Sequence, residues 1–193
     1  MDKHPAAGAT VSSEAEELIL VDALDRVLGH ASKAACHDGE GVLHRAFSLF
    51  VFNPDGALLL QQRSAGKRLW PGYWANTCCS HPRRGESLDV AAQRRLQQEM
   101  GMRCELRYVY KFQYQARYGT SGSEHELCSV FVGTTDAPVQ PNRTEVAAWR
   151  FILPEALDTE MATSAAQFTP WLQLEWQRLR GDFRHELPAP PPG

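Results

Sequence analysis

The residues from 46 to 62 constrain the fold of this chain most. Ala46–Asn53 is apolar and rich in phenylalanine and valine, Pro54-Asp55-Gly56 supplies a turn, and Ala57–Gln62 returns. That is the pattern of a β-hairpin. Leu18–Val21 is a short apolar run suited to a strand, and Arg26–Gly29 reads as a second strand or a turn exit. Tyr108–Tyr118, Leu127–Thr134 and Val146–Ile152 read as further strands. Ser87–Met100 has good helix formers, with Ser87 as N-cap and Gly101 as its stop. Ser32–Cys36 can form one helical turn before Gly39 and Gly41 halt it, and Pro154–Leu157 and Ala165–Leu179 read as closing helices. Strands fill the middle, one helix interrupts them and helices finish. The order predicts an α+β domain, a layered α/β/α arrangement around a mixed sheet.

A chain of 193 residues fits one ordinary domain with a sizeable core. The expected organisation is a flexible lead-in at 1–17, one domain at 18–180 and a disordered proline-rich tail at 181–193. The formal net charge of −3 and the pI near 6.2 argue against nucleic acid or an anionic membrane as partner. An anionic ligand must then be held by a few local cations. The first 17 residues carry no basic segment followed by an apolar core, and no apolar run is long enough to span a bilayer. The five cysteines are odd in number and lack paired CxxC spacing, which suits a reduced, cytoplasmic setting.

Histidines and carboxylates gather at potential strand ends: His37, His44, His81 and the triplet Glu124-His125-Glu126. On a strand, Glu124 and Glu126 face one side and His125 the other. Two neighbouring carboxylates repel unless a cation or a shared proton resolves the charge. Imidazole with carboxylate suits manganese, zinc or iron better than calcium. The plainer reading is a set of exposed polar residues on an edge strand.

The 87–100 helix carries a second signal. Glu86, Arg94, Leu96, Glu99, Gly101 and Met102 resemble the Nudix box in register, with Ser80 at its first glycine position. Arg95 and Gln98 stand where that box has glutamates. One of the three clustered acids remains, so the hydrolytic magnesium cluster of Nudix hydrolases looks dismantled, and Arg95 puts a positive charge where a phosphate oxygen could sit. Arg95 and Glu99 lie one turn apart on one face. For an arbitrary helix such a pair is a surface contact.

The segments together resemble type 1 isopentenyl-diphosphate isomerases. The most distinctive are Arg63-Ser64-Ala65-Gly66-Lys67-Arg68-Leu69-Trp70-Pro71-Gly72-Tyr73-Trp74 and Asn76-Thr77-Cys78-Cys79-Ser80-His81-Pro82. Around them Ser32 to His37, Val42 to Ser48, Tyr114, Glu124 to Glu126 and Pro170-Trp171 stand in the family's order, so the likeness spans about residues 18–180. It implies His37, His44, His81, Glu124 and Glu126 as ligands of one divalent metal, manganese, zinc or magnesium. It implies a magnesium ion between the substrate diphosphate, Glu99 and the main-chain carbonyl of Cys79. Lys33, Arg63, Lys67 and Arg95 match diphosphate-binding cations, Cys79 and Glu126 a catalytic pair, and Tyr114 and Trp171 supporting aromatics. The implied partner is a small prenyl diphosphate, met by a monomer. Where the family has cysteine-glycine-histidine this chain has Cys79-Ser80-His81, which puts the geometry of the Cys79 carbonyl in question.

The implied reaction adds a proton to an unactivated alkene, passes through a tertiary carbocation and removes a proton from a neighbouring carbon. It needs a dry pocket with an acid and a base. Glu126, in relay with Tyr114, suits the donor; Cys79 suits the opposite role; Trp171 offers a π face to the cation. Two rival readings are a Nudix hydrolase of a nucleotide-like diphosphate and a non-catalytic Nudix binding module. The first expects several glutamates on the 87–100 helix, and the second gives Cys79 and Glu126 no reason to occur together.

Overall fold

The computed structural model describes residues 10–188, so residues 1–9 of the expected lead-in and 189–193 of the expected tail lie outside the described residues. The hairpin forms as the sequence predicts, from β3 (His44–Phe52) and β4 (Leu58–Arg63). Strand β3 shows why its composition is apolar throughout. Ala46, Phe50 and Phe52 pack into one core cluster, while Phe47, Leu49 and Val51 point into another. A strand buried on both faces reads as a continuous hydrophobic run.

Around β3 the chain assembles a nine-stranded mixed sheet. Antiparallel neighbours of β3 are β1 (Glu17–Val21), which itself pairs with β2 (Val27–Ser32), and the short β6 (Cys78–Ser80). Strand β8 (Gly122–Thr134) lies parallel to β3, with His44 opposite Glu126, and pairs antiparallel with β7 (Leu106–Tyr118). Strands β5 (Trp74–Ala75) and β9 (Val146–Ile152) flank β4. Helix α2 (Leu88–Met100) covers one face through Ala91, Ala92, Leu96 and Met100. Leu157 of α3 (Pro154–Ser164) and Trp171, Leu172, Trp176 and Leu179 of α4 (Pro170–Arg180) cover the other. The layered α+β architecture is the predicted one.

The caps of α2 are those read from the sequence. Ser87 Oγ accepts from the Val90 amide at 3.4 Å, and Gly101 adopts φ 70° in the left-handed region. A side chain at Gly101 would meet the Cβ of Gln140 at 2.6 Å. Elsewhere the elements differ in extent. Strand β8 begins at Gly122 rather than Leu127, which places the whole Glu124–Glu126 triplet on the strand. Helix α3 continues to Ser164, and the expected helix 165–179 is broken. Ala165–Gln167 is one 3-10 turn, Thr169 is extended with ψ 147°, and α4 restarts at Pro170. Proline disfavours helical geometry in the residue before it and is tolerated at the first helical position. After α4 the chain stays on the body of the protein: Phe183 stacks on Tyr110 with ring centroids 4.5 Å apart, and Arg184–Glu186 make a 3-10 turn.

Candidate active site

A cavity of about 400 Å³ opens beside β6, β7 and β8. Cys79, Tyr114, Glu126 and Trp171 line one part of it, and His37, His81 and Glu124 adjoin them. Lys33, Arg63, Lys67 and Arg95 line it too, with Glu14 and Glu145 among their neighbours in the lining. Of the residues singled out from the sequence, His44 and Glu99 stand behind this lining, fully buried. The segment Thr10–Glu14, expected to be part of a flexible lead-in, lies across the same opening.

The imidazoles and carboxylates converge. His37 ends the short helix α1 (Lys33–His37), His44 begins β3, His81 follows β6, and Glu124 and Glu126 share the inward face of β8. One ligand atom from each falls within 4.8 Å of the others, and all five residues are buried, so they are not an exposed polar edge. His125 faces outward beside Gln113, as the alternation requires. His37 Nδ1 lies 2.7 Å from the Lys33 carbonyl and His44 Nδ1 2.7 Å from the Val42 carbonyl. A carbonyl can only accept, so both Nδ1 atoms carry the proton. In the neutral His44 ring this turns the Nε2 lone pair toward the cluster, whereas at His37 burial is outweighed by the Glu124 carboxylate, which raises the ring above its ordinary value in the absence of a cation. His44 Nε2 has no hydrogen-bond partner, and Glu124 Oε2, although 2.8 Å from His37 Nε2, is not aligned to accept from it. Burial lowers His44 to about 4 and takes His81 well below its ordinary value, so both rings are neutral. Orphaned, inward-aimed donor atoms of this kind fit a divalent cation.

Without a cation the two glutamates divide. Burial pushes Glu126 well up, and the Glu124 carboxylate adds to it; at Glu124 the adjacent His37 outweighs burial and brings the group down to about 2. One therefore holds a proton while the other is ionised. The strand register puts Tyr114 opposite Glu126, and its hydroxyl donates to Glu126 Oε2 at 2.7 Å. His81 Nε2 lies 2.8 Å from the other oxygen.

Cys79 Sγ is 3.0 Å from Trp171 Nε1 and 2.8 Å from Asn76 Oδ1. Burial holds its thiol well above the ordinary value. Ser80 is paired with Phe47 in the sheet and has no positive φ, so a serine here distorts nothing. Among the non-glycine residues lining or adjoining the cavity, Trp70 is the left-handed one, at φ 47°. Such a conformation costs a bulky side chain about 1–3 kcal/mol. The loop it shapes turns the Leu69 and Trp70 carbonyls onto Arg63, whose guanidinium also lies 5.1 Å over the Trp171 ring.

The other cations are held from below. Lys67 pairs with Glu145, and Arg95 pairs with Glu99 while lying 3.7 Å from Glu145. Both members of the Arg95–Glu99 pair are 2% exposed, so this is no surface contact. Gln61 donates to the second Glu99 oxygen at 3.1 Å. Arg95 also donates to the Val11 carbonyl, and Lys33 Nζ to Ser12 Oγ at 2.6 Å. The box residues Glu86 and Arg94 pair with each other outside the cavity. Sequence reasoning missed Gln61, Asn76 and Glu145. Asn76 lay inside a quoted motif, whereas nothing local marks Gln61 or Glu145.

Fold and site define a Nudix domain that carries a buried histidine–carboxylate cluster; the NUDIX domain family matches residues 42–172. A structure from Deinococcus radiodurans superposes with a TM-score of 0.69 at 23% identity, covering 84% of this chain and 98% of that one. A MutT protein from Methanosarcina mazei gives 0.60 at 17% identity, covering 74% and 96%; both likenesses concern the fold. The isopentenyl-diphosphate Delta-isomerase of Burkholderia multivorans is 48% identical over 163 residues, 84% of this chain and 92% of that protein. An isopentenyl-diphosphate Delta-isomerase of Photorhabdus laumondii is 42% identical, over 83% and 93%. The chain belongs to the isopentenyl-diphosphate Delta-isomerase family.

Proposed function

We infer that this protein interconverts isopentenyl diphosphate and dimethylallyl diphosphate in isoprenoid biosynthesis, with Cys79 and Glu126 as its proton-exchanging pair. One observation carries the assignment of roles. A carboxyl group backed by a tyrosine and a thiol backed by a tryptophan line one cavity, which four cationic side chains also line. Lys33, Arg63, Lys67 and Arg95 suit a diphosphate, and the cavity suits a five-carbon chain.

His37, His44, His81, Glu124 and Glu126 would hold one divalent cation, manganese, zinc or magnesium. Glu99 and the Cys79 carbonyl would hold a magnesium ion arriving with the diphosphate. Bound cations would neutralise the Glu124–Glu126 pair and the phosphate charge. Glu126, steadied by the Tyr114 hydroxyl, adds a proton to the terminal alkene carbon, leaving the positive charge on the tertiary carbon. The C–H electrons of the neighbouring methylene become the new double bond, and its proton passes to Cys79, which enters this direction as the thiolate and leaves it as the thiol. The roles exchange in the reverse direction, so no proton is gained or lost. Trp171 stands beside the cationic carbon, and the buried walls exclude the water that would capture it.

The domain at 18–180 acts as a monomer in the cytoplasm, with the small prenyl diphosphate as its partner. Among the described residues no helix is long and apolar enough to cross a membrane. Incubation of the purified chain with magnesium and labelled isopentenyl diphosphate should yield labelled dimethylallyl diphosphate without phosphate release. Cys79→Ala and Glu126→Gln should each lower turnover by about 1,000-fold or more, the loss typical of a removed proton-transfer group. An inactive parent protein overturns the function; full turnover in either variant overturns the assigned roles.

A further inference from the structure

Asn76 is fully buried in the connection between β5 and β6, where an apolar side chain of similar size would need no partners. Its amide has an unambiguous orientation. Nδ2 donates to the Leu49 carbonyl and to the Cys78 carbonyl, each at 3.2 Å, and those oxygens can only accept. Oδ1 is thereby aimed at Cys79 Sγ, 2.8 Å away. From its other side the same sulfur meets Trp171 Nε1 at 3.0 Å, and an indole N–H can only donate. The sulfur thus has one neighbour that must give a hydrogen and one that must receive one. A thiol satisfies both with its single hydrogen directed at Asn76 and a lone pair directed at Trp171. The remaining lone pair is left for the cavity.

We propose that Asn76 is a positioning residue for the reaction: it fixes the rotation of the Cys79 side chain and the direction of its S–H bond, so that sulfur meets substrate in one orientation. This rests on the catalytic reading of Cys79 given above. The plainer role for Asn76 would be to satisfy the Leu49 and Cys78 carbonyls and nothing else. The two roles separate in the infrared S–H stretching region, where a hydrogen-bonded thiol absorbs at lower wavenumber than a free one. The Cys79 band is identified as the one lost in Cys79→Ser.

In the parent protein that band should sit at the hydrogen-bonded position. In Asn76→Ala and Asn76→Leu it should move toward the free-thiol position. With dimethylallyl diphosphate, for which the Cys79 thiol is the proton donor, kcat should fall roughly 10- to 100-fold, the loss expected from a misplaced reacting group, with KM changed less than about 2-fold. An unmoved band in a folded variant overturns the proposal, as does a moved band with full kcat. Should both variants fail to fold, the parent band decides: a free-thiol position overturns the proposal, and a hydrogen-bonded one upholds it. A parent protein without isomerase activity would instead count against the functional reading, because the band reports the Asn76–Cys79 contact whether or not turnover occurs.

Discussion

Glu175 is a carboxyl group with no room for a charge. It is fully buried on α4, one turn beyond Trp171, with Cys128 Sγ 3.4 Å from Oε1 and no partner at Oε2. Burial raises it from 4.5 to about 8. A carboxyl raised in the folded state binds its proton more tightly there than in the unfolded chain. Its contribution to stability is therefore full below the unfolded value and is lost as pH rises toward the folded one. At neutral pH the penalty is about 3 kcal/mol, from roughly 1.4 kcal/mol per unit. Glu175→Gln should accordingly be more stable than the parent at pH 7 by about that amount, and nearly equal at pH 4.5. Urea midpoints at the two values check it, and a pH-independent difference would show that the group is not protonated in the fold. Nothing in the sequence marks Glu175. On a helix of mixed polarity it looks like a solvated acid, and only the seating of α4 turns it inward. His37, His44 and His81 are the reverse case: their residue types announced metal chemistry, but each taken alone is an ordinary histidine.

At the scale of elements, the site depends on how closely α1 approaches β8. Gly122 has φ 138°, and a side chain there would fall 2.2 Å from the His37 carbonyl oxygen, a backbone atom that cannot step aside. Gly122→Ala should push the end of α1 away and take His37 out of the cluster. The affinity for manganese or zinc should fall roughly 10- to 100-fold, comparable to other losses of ligand orientation. Titration calorimetry measures this, and unchanged affinity would mean that α1 adjusts without moving His37. The termini of α2 and the β3–β4 hairpin were legible because caps and turns are local chemistry. Strands β5 and β6 were not. They are two and three residues long, too short for periodicity to register, and exist because β4 and β3 offer open edges to pair with. The break before α4 was visible in principle, since Pro170 stood in the run taken as one helix.

Across the whole molecule, the cation cluster joins parts of the chain distant in sequence: α1, β3, the exit of β6 and β8. Metal binding there acts as a tether that the unfolded chain lacks. With free cation at 100 times its dissociation constant, the folded state should gain about 2.7 kcal/mol. Chelation should lower the unfolding temperature, and adding the cation back should restore it. The shift should be much smaller in Glu126→Gln; an equal shift there would place the cation elsewhere. The sequence by itself determined the mixed α+β order, the caps of α2, and which residue types could ligate, transfer protons or hold a diphosphate, because each of these follows from local pattern or side-chain chemistry. The tertiary structure alone decided that His44 stands opposite Glu126 across β3 and β8, that Glu145 sits beneath Lys67, and that Asn76 and Trp171 meet on one sulfur. His44 and Glu126, Lys67 and Glu145, and Asn76 and Trp171 stand from 78 to 95 positions apart, and a distance of that kind is set by strand register and layer packing rather than by any neighbouring residue.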